Sequence, residues 1–205
     1  MEAANTSCQV FLDALAAGTP TPGGGGASAL AGALGAALSA MVGHYTVGKQ
    51  KYAPVEEEIK VLMEKGEALR ARLLALVDED AAAFLPLSVA YGMPKDAPGR
   101  DERMEDALRR AVEPPMEMVR LCARAIEIHQ VLAEKGSALM VSDAGTGAIL
   151  CMGAMYGAAL NVKVNTKSMR NRAYAEECNA EVNHLTAHYG EMARQVYEAV
   201  AGRMV

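Results

Sequence analysis

Two aspartates two residues apart, Asp78 and Asp80, stand in the run D-E-D-A-A-A-F, and a third, Asp143, stands in S-D-A-G. A carboxylate can take a proton from water or hand one to a departing nitrogen when burial brings its pKa toward neutrality. Residues two apart on a helix point about 200° from each other. Only one of Asp78 and Asp80 can therefore face a pocket, and the other is expected to be solvated. Asp143 has two readings, as a helix N-cap or as a carboxylate that pairs with ligand N–H groups. Asn161 and Asn165, four apart, share a helical face; they could read polar ring edges or hold a water, or simply sit near a helix C-terminus.

Other polar groups surround these. Thr19 to Ser28 reads T-P-T-P-G-G-G-G-A-S and runs into an Ala/Gly/Leu segment. Gly23, Gly24, Gly25 and Gly26 allow close ligand approach, and a helix starting here aims free N–H groups outward, so the junction reads as an anion site or as a flexible linker. It is not a Walker loop, because no Lys-Ser or Lys-Thr follows, and G-x-G-x-x-G fails because residue 28 is Ser. Lys163, Lys167, Arg170 and Arg172 form a local basic run, with Lys49, Lys51 and Lys95 elsewhere, suited to an acidic ligand or to a solvated surface. His44, Tyr45 and Tyr52 could line a pocket or sit in the core with one polar tip. Glu177, Glu181, His184 and His188 follow one helical face and include a Glu-x-x-His. Carboxylate metal sites in bundles use that motif twice, and no second copy exists here, so no metal is expected.

The elements that must hold these groups are expected to be helices. The chain has 205 residues, 51% hydrophobic but 4% aromatic, with no Trp and 13 Met. A core of Ala, Leu, Val and Met suits close-packed helices, and no linker divides the chain, so residues 1–205 read as a single all-α domain. A formal charge of -5 argues against nucleic acid as a partner. Cys8, Cys122, Cys151 and Cys178 show no metal or redox spacing, and the N-terminus lacks signal-peptide features, so a cytoplasmic protein is expected. Residues 14–48 and 144–162 carry no formal charge. Both are rich in Ala and Gly rather than in strong hydrophobes, and read as buried central helices rather than membrane spans. Helices are expected to about Leu15, from about Gly26 to Val47, from Glu56 past Val77, from about Arg100 to Val112, from Pro115 to Leu132, from Ser142 or Asp143 onward, and from about Asn171 to Ala201. Pro86 marks a kink and Pro114-Pro115 a break. Gly35 on the first uncharged helix, and Gly147, Gly153 and Gly157 on the second, would let neighbours approach closely.

The pieces T-P-T-P-G-G-G-G-A-S-A-L-A-G-A-L-G-A-A-L, V-G-K-Q-K-Y, D-E-D-A-A-A-F, M-P-K, S-D-A-G and N-V-K-V-N, in this order, resemble the cyclodeaminase/cyclohydrolase family of folate enzymes over nearly the whole chain. The resemblance implies an all-helical homodimer without a cofactor, acting on a tetrahydrofolate that carries a one-carbon unit. Two reactions follow from it: hydrolysis of 5,10-methenyltetrahydrofolate to the 10-formyl compound, or cyclisation of the 5-formimino compound with loss of ammonia. It implies Asp80 as the proton carrier and Asp143 as catalytic partner or pterin anchor. Gly23, Gly24, Gly25, Gly26, Ser28, Tyr45, Lys49, Lys95, Asn161, Asn165 and Lys167 are the implied substrate contacts. Family members usually carry Ser where Gly26 stands, and Ser28 could substitute for it.

Overall fold

A computed structural model describes residues 3–204, which form six α-helices joined by short turns. They are α1 (Cys8–Ala16), α2 (Gly24–His44), α3 (Glu56–Gly92), α4 (Arg100–Lys135), α5 (Val141–Ser168) and α6 (Arg172–Ala201). One continuous core, much of it alanine, runs through all of them. The two uncharged segments become α2 and α5, which pack along each other at the centre of the bundle. Both are long and apolar enough to cross a membrane. Here α2 buries Ala29, Ala33, Ala36 and Val42, and α5 buries Ala144, Ala148, Met155 and Val162, as expected of central helices.

The axes of α2 and α5 are antiparallel. A Cβ on Gly24 would lie 3.6 Å from Asn161 Nδ2, on Gly157 2.4 Å from Ser28 Oγ, and on Gly35 2.5 Å from Cys151 Sγ and 2.9 Å from the Gly147 carbonyl. At Gly157 and Gly35 the backbones thus approach more closely than a side chain would allow, whereas at Gly24 a Cβ would make ordinary contact. His129 of α4 fills the space over Gly147; its Nε2 lies 2.9 Å from the Gly35 carbonyl, and its Nδ1 has no hydrogen-bond partner among the described residues. Gly153 differs from the expectation, since a Cβ there meets nothing within 4 Å and the residue is exposed.

Helix boundaries also depart from the sequence reading. α2 begins at Gly24 and ends at His44, so three of the four glycines form its first turn, with Gly23 as the N-cap. α1 is capped by Ser7, whose Oγ accepts from the Val10 N–H at 3.3 Å, but of Cys8, Phe11, Leu12 and Leu15, which are spaced along one face, only Phe11 is buried. α3 continues through Pro86, and α4 is one helix through Pro114 and Pro115. Pro115 lacks the N–H that would bond the Ala111 carbonyl four residues back. Asn165 on α5 donates its Nδ2–H to that carbonyl at 2.8 Å. The expected break is therefore closed by a side chain from another helix.

Candidate active site

At the N-terminal end of α2, three elements converge. Helix α3 runs antiparallel to α2, which sets Asp80 under the first turn of α2. The Asp80 carboxyl lies against the Gly25 Cα, so closely that a Cβ there would fall 2.3 Å from Oδ2 and 2.4 Å from Oδ1. Burial pushes the Asp80 pKa up to about 6, against a backbone hydrogen bond from Gly26 that lowers it. The group can thus change protonation near neutrality, which a general acid or base requires. From α5, Asn161 brings its amide against Gly24, its Nδ2 donating to the Gly157 carbonyl at 2.9 Å. A cleft of about 250 Å³ next to this junction is lined by Phe11, Thr21, Pro22, Asp78 and Ala81; Asp80 is not among its lining residues, so of the two aspartates it is Asp78 that faces this pocket.

The anion expected over the glycine helix is therefore supplied by the protein itself. A helix N-terminus favours negative charge, and the Asp80 carboxylate takes that place. A further carboxylate or phosphate there would meet its repulsion, whereas a cationic ligand would be attracted. The four glycines are also not equivalent. Gly25 has no room for a side chain, while a Cβ on Gly26 would meet Pro22 Cβ at 3.6 Å and Val77 at 3.7 Å, ordinary contacts that leave room for a small residue. A Cβ on Gly23 would meet only the Pro20 carbonyl, at 3.9 Å.

Several implied contacts turn out to serve the fold. Ser28 is buried and donates its hydroxyl to the Gly24 carbonyl at 2.7 Å, one turn back in its own helix. Asn165 is buried and spent on Ala111 of α4. Arg172 caps the C-terminus of α5 through the Thr166 and Met169 carbonyls, and Arg170 pairs with Asp101. Lys167 is exposed and lies six residues past Asn161, about 120° away around α5. Lys95 sits in the loop after α3, and about 18 Å of helix separates Asp80 from that loop. Asp78, expected to be solvated, is half-buried and accepts from the Ala4 N–H at 3.4 Å. Glu181 accepts two hydrogen bonds from Arg120, at 2.5 Å and 2.7 Å.

Tyr45, Lys49 and Asp143 gather at the other end of the bundle. Tyr45 caps α2, Lys49 Nζ stands 5.5 Å over its ring, and Asp143 lies in the first turn of α5 rather than at its N-cap. Tyr52 is at the same end, accepting from the Ala138 N–H at 2.9 Å. From Asp143 to Asn161 is 18 residues of α5, about 27 Å. Within one chain, then, Asp80 and Asn161 form one group while Asp143, Tyr45 and Lys49 form another. The Thr21, Pro22 and Ala81 wall of the cleft escaped the sequence reading, although its signal was present: Pro22 precedes the glycines and Ala81 follows Asp80.

Comparison with known proteins agrees with the all-helical fold. The pattern of the family described as formiminotransferase-cyclodeaminase matches residues 7–184. A methenyltetrahydrofolate cyclohydrolase from Methylorubrum extorquens is 40% identical over 98% of this chain and 99% of its own length. A formimidoyltransferase-cyclodeaminase from Mus musculus is 30% identical over 97% of this chain, which spans 38% of that protein's length. The crystal structure of a formiminotetrahydrofolate cyclodeaminase from Thermotoga maritima superposes with a TM-score of 0.90 at 28% identity, covering 98% of each chain.

Proposed function

Since the chain belongs to the formiminotransferase-cyclodeaminase family, we propose that it is a 5,10-methenyltetrahydrofolate cyclohydrolase, with Asp80 as the proton carrier. The observation that carries the chemistry is the Asp80 carboxyl, half-buried on the first turn of α2 and titrating at about 6. Hydrolysis is favoured over deamination by the 40% identity to a cyclohydrolase of the same length, against 30% to the cyclodeaminases.

The substrate carries an amidinium cation across N5 and N10, which the carboxylate attracts. Asp80 takes one proton from a water while its oxygen bonds to the methenyl carbon, and a neutral tetrahedral adduct forms. The protonated Asp80 then delivers that proton to N5 as the N5–carbon bond breaks. The adduct hydroxyl loses its proton to solvent and becomes the formyl oxygen on N10, so one proton is released overall. In this reading the Asn161 side-chain oxygen, beside Gly24, holds the attacking water. No metal cofactor takes part, the enzyme works in the cytoplasm, and its functional unit is a homodimer.

The test is spectrophotometric, on purified protein. Loss of methenyltetrahydrofolate absorbance that persists after chelation and dialysis is the expected result. Formation of that absorbance from the 5-formimino compound, with release of ammonia and no hydrolysis, would instead make the protein a cyclodeaminase. Activity lost on chelation and restored by stoichiometric metal would refute the metal-free mechanism.

A further inference from the structure

The Gly24–Gly25 peptide has a member of the proposed site at each end. Asn161 of α5 lies against the Gly24 Cα, where a Cβ would stand 3.6 Å from Nδ2 and 4.0 Å from Oδ1, and the Asp80 carboxyl lies against the Gly25 Cα. Consecutive Cα atoms are about 3.8 Å apart. The spacing of Asn161 and Asp80 therefore depends on how α5 and α3 seat on this one peptide.

At this end of the seam, α5 seats on α2 through Ser28. The Ser28 hydroxyl donates to the Gly24 carbonyl at 2.7 Å, and Gly157 packs its Cα on that hydroxyl, so closely that a Cβ there would fall 2.4 Å from Oγ and 3.5 Å from the Ser28 Cβ. The Gly157 carbonyl in turn accepts from Asn161 Nδ2 at 2.9 Å. Contacts thus run in a closed circuit, from the Gly24 peptide to Ser28, to Gly157, to Asn161 and back to Gly24. Ser28 is buried, and turning its hydroxyl aside would part it from its acceptor without offering water instead. A side chain at position 157 would then push α5 back and carry Asn161 with it.

We propose that Ser28 and Gly157 are positioning residues, whose contact sets the distance of α5 from α2 and so the place where Asn161 Oδ1 and Asp80 hold the attacking water. Neither touches the folate. This assignment rests on the folate reading above, and gives the Ser28 hydroxyl a part in turnover that needs no contact with substrate.

The molecule contains a matched control. On the α3 side of α2, Ser39 donates its hydroxyl to the Ala36 carbonyl at 2.7 Å, and a Cβ on Gly66 of α3 would fall 2.3 Å from that Oγ and 3.5 Å from the Ser39 Cβ. The local packing is the same, but Ser39 lies 15 residues past Gly24, about 22 Å along the helix.

The experiment compares Gly157→Ala, Ser28→Ala, the double variant and Gly66→Ala by kcat, KM and thermal melt, on whichever folate the wild type turns over. In Gly157→Ala the retreat needed is roughly 1 Å, so kcat should fall about 10²-fold, with KM held within about threefold. Ser28→Ala leaves α5 in place and should lose only a few-fold. In the double variant the new Cβ meets only the Cβ at position 28, at 3.5 Å, so kcat should recover to the Ser28→Ala level. Gly66→Ala should melt lower than the wild type, as Gly157→Ala does, yet keep its kcat. A loss in Gly157→Ala no greater than in Ser28→Ala, a double variant no faster than Gly157→Ala, or an equal loss of kcat in Gly66→Ala would each refute the positioning role. A wild type without turnover on any folate would instead refute the proposed function, and this assignment with it.

Discussion

Three adjacent glycines provide a series in which only one member should matter to catalysis. In Gly25→Ala the new Cβ would stand 2.3–2.5 Å from the Asp80 carboxyl atoms, where ordinary contact begins near 3.4 Å. The carboxyl must retreat by about 1 Å, and a misplacement of that size costs about 10²-fold in rate. Stability should change little, because the displaced atoms end a side chain and alanine is favoured over glycine in a helix by up to ~1 kcal/mol. Gly24→Ala and Gly26→Ala place their Cβ atoms no nearer than 3.6 Å to anything. They should keep turnover within a few-fold, and melt at or above the wild-type temperature. The assay is kcat on methenyltetrahydrofolate beside a thermal melt for each variant. Turnover near wild type in Gly25→Ala, or equal losses in all three, would refute the geometry.

Further predictions concern charge and packing. Asp80→Asn should lower kcat by about 10²–10⁴-fold while folate still binds; a folded variant with near-normal turnover would remove Asp80 from the chemistry. Because folding raises the Asp80 pKa from 3.8 to about 6, the folded chain binds this proton more tightly than the unfolded one. Stability from this group is therefore fully present below 3.8 and is lost as pH rises through 6. Asp80→Asn should accordingly stabilise the fold by roughly 1–3 kcal/mol at pH 7–8, an advantage that calorimetry should find vanishing toward pH 4, and kcat/KM of the wild type should rise with pH through about 6. Asn165→Leu leaves the Ala111 carbonyl without its donor and should cost about 1–3 kcal/mol in a denaturant titration, with KM unchanged; a large KM effect would return Asn165 to the substrate. Gly35→Leu should cost at least about 1–3 kcal/mol by overpacking, whereas Gly153→Leu should leave the fold's stability intact and alter only association, read by sedimentation.

The all-helical class was legible because scarce aromatics, abundant Ala and Met, and two long uncharged segments leave little else to build. Asp80 was legible as a chemical group through D-A-A-A-F, and its pairing with the glycine turn is what antiparallel packing of α2 on α3 adds. Which glycine matters was not legible: G-G-G-G is four identical letters, and only the direction of the Gly25 Cα toward Asp80 distinguishes them. The partition of the motif residues was hidden too. V-G-K-Q-K-Y is near the glycines in sequence, yet a straight helix carries it about 30 Å away. The bond that Asn165 makes was hidden for a related reason, since its partner lies 54 residues earlier and the need for it appears only once Pro115 is seen inside a helix.

The bond from Asn165 to Ala111 also bears on how the protein is assembled during folding. The middle of α4 cannot be completed by residues of α4, because the proline pair removes N–H donors that the helix needs there and the missing donor arrives from α5. The stretches on either side of Pro114 are therefore expected to join into a single rod only once α5 has docked. Continuity of this 36-residue helix is thus in part a tertiary property. A chain cut between α4 and α5 would release two short helices with a flexible joint where the intact molecule has a strut.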